Sequence, residues 1–508
     1  MSFEHGKNTI VKTEKGLLRG FRYNDIYHFY GVKYANSERF MPPTEVESWE
    51  GIKEATSYGY ICPGFNDDRI GNNLKNPHRF WPVSEDCQYL NIWTKSINSE
   101  EKKPVIVWFH GGGFSDGSSL EHLSYDGYSL CNRGDVVVVT LNHRLNVLGY
   151  FDLSDFGEKY SRSKNVGNLD LIAALKWVNK NIEHFGGDKN NVTIFGQSGG
   201  GAKVTSVMNM PASAGLFKAG MVMSGVVGEM LSDHNKDTRP IVAKALELLG
   251  IGKENIEDIN KVGHKDLCKA YLKANQLFGN KGTPYMGPMK NEDYLGDPMY
   301  YGFLDQAKAA PLIVGSNFSE FYNLSSKYQR NEMTDEEMVK VVEEEFGKKI
   351  ADKVIPEFRK AFPNNKIIDV LTYDCSIVRK PTLDFVKKRV SEGCAPTYNY
   401  LFTALYGIND GSTPLHSSDI VFVFGNTNMV PSTYMDGYEK EIEYQMAGRL
   451  LALAKTGEPQ LADRLTWHPA AADSVPTLIL DRVCEEKTDF DKELLEEMTK
   501  IRSAELII

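Results

Sequence analysis

The chain has 508 residues, with 58 Lys and Arg against 68 Asp and Glu and a net charge of −10. This balance offers no basic patch of the kind nucleic acid requires, and it favours solubility while saying little about substrate. No apolar run approaches the ~18 residues of a membrane span and Met1 to Ile10 lacks the apolar core of a signal peptide, so a soluble, cytoplasmic protein with no membrane partner is expected.

In chain order, Lys103 to Phe109 predicts a buried strand that ends at His110-Gly111-Gly112-Gly113-Phe114. A glycine triplet can present consecutive backbone N–H groups, because no side chain obstructs the approach and positive φ is allowed. Such donors suit the negative charge that develops on an ester oxygen under attack. Val136 to Val139 and Val192 to Phe195 suit strands buried on both faces of a parallel sheet. Between them, Ala173 to Ile182 reads as a helix with Ala174, Trp177, Val178 and Ile182 on one face. Phe195 leads into Gly196-Gln197-Ser198-Gly199-Gly200, a G-x-S-x-G pentapeptide, and then into the helix-compatible stretch Gly201 to Met208. Strand, sharp turn and helix make a nucleophile elbow, with the N–H of Gly199 placed to join those of Gly112 and Gly113 around an oxyanion. Free serine is a poor nucleophile at neutral pH, so the turn is useful only beside a base.

Further along, Pro311 to Gly315 predicts another central strand, opening into Ser316 to Phe321. Charge density rises between about residues 228 and 390, and Met338, Val341, Val342 and Phe346 keep a helical spacing within the acidic run Asp335 to Phe346. Apart from the strand before Glu320, that region is expected to form helices capping the core within a single domain spanning 1–508. No histidine and cysteine cluster with zinc-like spacing and no phosphate loop is found, so no metal or organic cofactor is expected.

Longer motifs carry a resemblance. Phe29-Tyr30-Gly31-Val32-Lys33-Tyr34-Ala35, Arg39-Phe40-Met41-Pro42-Pro43, Ser84-Glu85-Asp86-Cys87-Gln88-Tyr89-Leu90-Asn91-Ile92 and Asn142-His143-Arg144-Leu145 through Gly149-Tyr150 follow one another in order, ahead of the elbow. Together they resemble the type-B carboxylesterases, the cholinesterase-like branch of the α/β-hydrolases. The resemblance implies an α/β fold: a three-layer α/β-hydrolase sandwich with a central, mostly parallel sheet and helical cap insertions. It also implies hydrolysis of a small-molecule carboxylic ester through a Ser-His-Glu triad.

The acid and the base follow from chain order, which in α/β-hydrolases is serine, acid, histidine. Ser316-Asn317-Phe318-Ser319-Glu320-Phe321 resembles the family's G-x-N-x-x-E-G and makes Glu320 the acid, with Asp305 as the alternative on the wrong end of its strand. His416 and His468 remain as bases beyond it, and Pro414 to Gly425 follows the family's H-x-x-D segment, which selects His416. His110 is expected to orient the glycine loop by hydrogen bonding. Ser224, in Met223-Ser224-Gly225, matches a serine that bonds the acid in the family. Three departures stand out. Gln197 replaces a glutamate and removes a charge beside the elbow, Gly199 replaces an alanine and loosens the turn, and Phe321 replaces a glycine and narrows the acyl side.

By position near the motifs, Phe80, Trp81, Phe114, Tyr125, Phe318, Phe321 and Phe402 are candidates to line the substrate pocket. The seven cysteines are an odd number spread widely, which disfavours a disulfide framework. Cys62 and Cys87 nevertheless fall where secreted relatives form a disulfide around a loop, and in a reducing compartment they would stay as thiols. A lipase or amidase on the same site, or a non-catalytic binding protein on the same fold, is the alternative to an esterase.

Overall fold

The computed structural model describes residues 2–65, 77–228, 232–234, 236–325, 327–408 and 411–505. Its frame is a 12-stranded sheet. In chain order the strands are β1 (Phe3–Glu4), β2 (Phe21–Tyr23), β3 (Ile26–Lys33), β4 (Tyr89–Thr94), β5 (Lys103–Phe109) and β6 (Val137–Leu141). They continue with β7 (Gly187–Gln197), β8 (Ala219–Met223), β9 (Leu312–Asn317), β10 (Thr397–Phe402), β11 (Pro476–Leu480) and β12 (Glu485–Thr488). The spatial order is β1-β2-β3-β4-β6-β5-β7-β8-β9-β10-β11-β12, and the run from β6 to β11 is parallel while both edges are antiparallel. A separate small sheet pairs Ile10–Lys12, Leu17–Arg19 and Ile52–Glu54.

The parallel strands read as continuous apolar runs because both of their faces are covered. Along β5, Val105, Val107 and Phe109 join the core on one side of the sheet, and Ile106 and Trp108 join the core on the other. The first side is covered by α1 (Val166–Asn181) and α2 (Gly199–Met208), which bring Ala174, Val178, Val204 and Val207. Long apolar side chains of a later helix, Glu439–Thr456, cover the second side with Met446, Leu450 and Leu453. The three layers are those of the α/β-hydrolase fold.

Most of the helices between residues 228 and 390 build clusters of their own. Helices α3 (Arg239–Leu248) and α4 (His264–Leu277) bury Val242, Leu246, Leu267 and Tyr271 with Phe40 and Phe151. Helix α5 (Asp335–Phe346) starts at Thr334, whose hydroxyl accepts from Glu337 N at 3.3 Å while the Glu337 carboxylate accepts from Thr334 N at 2.8 Å. Its Met338, Val342 and Phe346 are buried, and Val341 is half-buried. Helix α7 (Arg379–Ser391), numbered after α6 (Lys348–Ala361), packs on β9 and β10 and belongs to the layer that covers the sheet.

None of the seven cysteines forms a disulfide. Cys62 and Cys87 are both buried without a disulfide between them, and burial pushes the Cys87 thiol well up, with a side-chain hydrogen bond to Cys62 adding to the effect. Among the described residues no helix is long and apolar enough to cross a membrane.

Candidate active site

Strand β7 ends at Gln197, and the chain turns at Ser198 with φ 58° and ψ −129° before entering α2. A non-glycine residue holds such a backbone only where its surroundings over-determine it. Here Ser198 N donates to Met223 O of the next strand at 2.8 Å, and Ala202 N donates back to Ser198 O at 3.0 Å. The loop after β5 presses directly on this turn. A Cβ on Gly199 would lie 2.2 Å from Gly113 O, and one on Gly200 would lie 2.1 Å from Phe109 O. Gly199 therefore permits a backbone contact, which corrects the reading of it as a loosened turn. Gly112 and Gly113 sit at φ +81° and +62°, and their N–H groups and that of Gly199 bond to no other described residue. Three main-chain donors thus remain available where the two segments meet.

His110 opens that loop. It is 1% exposed, and its Nδ1 lies 2.9 Å from Gly111 O, so a neutral ring donates to that carbonyl. Burial lowers its pKa to about 3, with the nearby Lys203 charge acting in the same direction.

Glu320 and His416 meet from the loops after β9 and β10. Glu320 adopts φ 45° and is 1% exposed. Its Oε1 accepts from Ser224 Oγ at 2.7 Å and from Asn317 N at 2.6 Å, and its Oε2 accepts from His416 Nδ1 at 2.5 Å. His416 N also donates to Glu320 O at 2.7 Å, so main chain and side chain both fix the pair. With a carboxylate on Nδ1, that nitrogen carries the proton and Nε2 is left as the acceptor. The Gln197 side-chain nitrogen stands 3.4 Å from His416 Nε2, and Gln197 Oε1 accepts from Ser417 Oγ at 3.0 Å. Phe321, 45% exposed, stacks on the His416 ring with centroids 4.2 Å apart. Asp305 lies exposed at the start of a short helix before β9, and His468 pairs with Glu486 at the surface.

Sequence and structure comparisons agree on the lineage. The sequence profile of the carboxylesterase family matches residues 7–496. Para-nitrobenzyl esterase of Bacillus subtilis is 31% identical over 490 residues, covering 93% of this chain and 94% of that one. The solved structure of an esterase from Clostridium hathewayi, described as able to hydrolyse aliphatic aromatic polyesters, superposes with a TM-score of 0.94 at 40% identity, over 98% of this chain and 99% of that one. A carboxylesterase of Geobacillus stearothermophilus gives 0.74 at 28% identity, over 96% and 99%. The chain belongs to the carboxylesterase family.

Three of the seven aromatics expected to line this carboxylesterase's pocket lie in the core instead. Tyr125, Phe318 and Phe402 are 2%, 0% and 0% exposed, so they are core and not pocket wall. Tyr125 packs on Trp108, Phe318 on Phe358, Phe362 and Tyr373, and Phe402 on Phe422, because each projects into a layer beside the sheet. Phe80 is exposed and Trp81 stands edge-on to Tyr58. Phe114 is buried against Tyr150 but borders a cavity of about 240 Å³ shared with Ala202, Val226 and Tyr294. Phe321 alone among these aromatics makes a ring contact with His416.

Two further residues escaped the sequence reading. Asp419 lies in the segment Pro414 to Gly425 that carries His416, fully buried, and accepts from Tyr400 Oη at 2.6 Å. Burial pushes its carboxyl up to about 6, with Tyr400 holding it back and the Glu320 charge adding to the rise. Lys203 is buried in α2, where a lysine among small and apolar neighbours was the available signal. The fold also gathers His78, Glu121 and His122 with donor atoms within 4.8 Å of one another. That is wider than the ~3.4 Å edge of a tetrahedral site with bonds of ~2.1 Å. Glu121 already pairs with His78 at 3.4 Å.

Proposed function

We propose that this carboxylesterase acts through Ser198, His416 and Glu320, with an acyl-enzyme intermediate. His416 Nε2 takes the Ser198 proton as the serine oxygen attacks the ester carbonyl. The N–H groups of Gly112, Gly113 and Gly199 receive the oxyanion. The alcohol leaves with the proton from His416, and water then repeats the sequence on the acyl group. Glu320 stays ionised, holds the imidazole by Nδ1 and stabilises the imidazolium that forms.

The observation that carries this reading is the buried carboxylate of Glu320, fixed by Ser224 and Asn317, whose second oxygen accepts from His416 Nδ1–H. That arrangement orients one histidine whose other nitrogen faces the elbow side chain Gln197. We further propose esters with an aryl group as substrates, because Phe321 offers an exposed ring beside the base. The named activities of the Bacillus and Clostridium relatives fit such a class.

Ser198→Ala is expected to lower turnover of a soluble p-nitrophenyl ester by a factor on the order of 10⁶. Unchanged turnover in a folded variant would refute the assignment. Comparing that ester with emulsified triglycerides and anilides tells an esterase from a lipase or amidase.

A further inference from the structure

Lys203 lies in the second turn of α2 and is fully buried. Its ammonium donates to the carbonyls of His110 at 2.8 Å and Gly111 at 3.3 Å, and sits 5.8 Å from the centre of the Phe114 ring. A buried ammonium is costly, and an apolar chain of similar length would fill the same space without that cost. What the charge holds is therefore the useful question. None of the described peptide bonds is cis. In a trans peptide the carbonyl of Gly111 and the N–H of Gly112 are opposite ends of one planar unit. A cation gripping the carbonyl fixes that plane, leaves the N–H pointing away from the lysine, and polarises it into a stronger donor. His110 Nδ1 grips the same carbonyl at 2.9 Å, so the unit is held from two sides.

We propose that Lys203 is a positioning residue of the oxyanion hole, whose ammonium aims and strengthens the Gly112 N–H through the Gly111 carbonyl. This rests on the reading of Ser198 given above. The titratable groups facing Lys203 are Glu121, Asp116, Cys62, His110 and His143. Burial pushes the ammonium down to about 7, while Glu121, Cys62 and Asp116 pull it back up. Burial holds His143 well below its ordinary value, and Glu121 is held at about 2, where its neighbouring histidines outweigh the burial that raises it. Burial thus places the loss of the Lys203 charge near neutral pH. Its protonated form is the gripping one, so the contribution is present below the folded pKa and lost as pH rises through it.

The test is the pH profile of kcat and KM for a p-nitrophenyl ester, on the full chain and on Lys203→Met. The unmodified protein is expected to lose kcat as pH rises through about 7, with KM nearly constant. Lys203→Met is expected to show kcat reduced ~10-fold or more at low pH, with that alkaline decline gone. Should the methionine variant fail to fold, Lys203→Arg replaces it; its guanidinium stays charged, so the decline disappears. A flat alkaline plateau in the unmodified protein, or the same decline in a folded variant, overturns the proposal. Loss of activity in Ser198→Ala with a flat plateau sinks the role of Lys203 alone, whereas an active Ser198→Ala sinks the reading beneath it.

Discussion

The loop after β5 and the elbow after β7 meet backbone against backbone, whereas Glu320 and His416 are joined by hydrogen bonds that each involve a side chain or the two residues' own main chain, gathered from β9 and the loops after β8, β9 and β10. The first half depends on the absence of atoms: glycine lets two main chains touch. The second depends on the presence of particular atoms, each supplying one hydrogen bond. A main-chain site should fail abruptly when a single methyl group intrudes, and a side-chain network should fail in steps.

Three substitutions sharpen that contrast. Glu320→Gln keeps the shape but removes the charge that fixes the imidazole tautomer, and kcat should drop by ~10⁴. A drop of less than tenfold in steady-state assays would break the case for the acid. Gly199→Ala adds a Cβ 2.2 Å from Gly113 O, so one segment must move and a donor is misplaced. Here kcat should fall by ~10²–10³ with the fold intact by circular dichroism. Ser224→Ala removes one of the two donors to Glu320 Oε1 and should cost only ~10-fold in kcat/KM, since Asn317 N remains. If Ser224→Ala proved as damaging as Gly199→Ala, the contrast between the halves would be lost.

The smallest effect is on stability. Asp419 has its pKa raised from 3.8 to about 6 by burial, so its ionised form destabilises the folded state. Both states are protonated below pH 3.8, the penalty grows as pH rises between the two values, and it is complete above 6. Asp419→Asn should therefore be more stable at pH 8 by up to about 3 kcal/mol, an advantage that vanishes near pH 4 in urea unfolding.

The same contrast explains what could be read in advance. Val105 to Phe109, Val192 to Phe195 and the elbow are contiguous, and their periodicity and glycines report directly on strand, turn and close approach. The strands and the turn followed from them, and the α/β-hydrolase fold from the family resemblance. The pocket did not, because nearness to a motif along the chain says nothing about which side of a sheet a ring occupies. Phe318 stands two residues before Glu320 yet packs against Phe362 in the cap-side core. Phe402 ends β10 near the histidine loop yet faces Phe422. Asp419 lies within the histidine motif, but its depth depends on Tyr400, which the fold places over it. Lys203 needed the fold most, since its partners lie more than ninety positions earlier.

The touching glycines also bear on protein engineering. Transplanting the pentapeptide from a homologue that carries alanine after its serine would import a steric mismatch unless the matching H-G-G-G segment travelled with it. The two stretches are therefore best exchanged between homologues as one cassette.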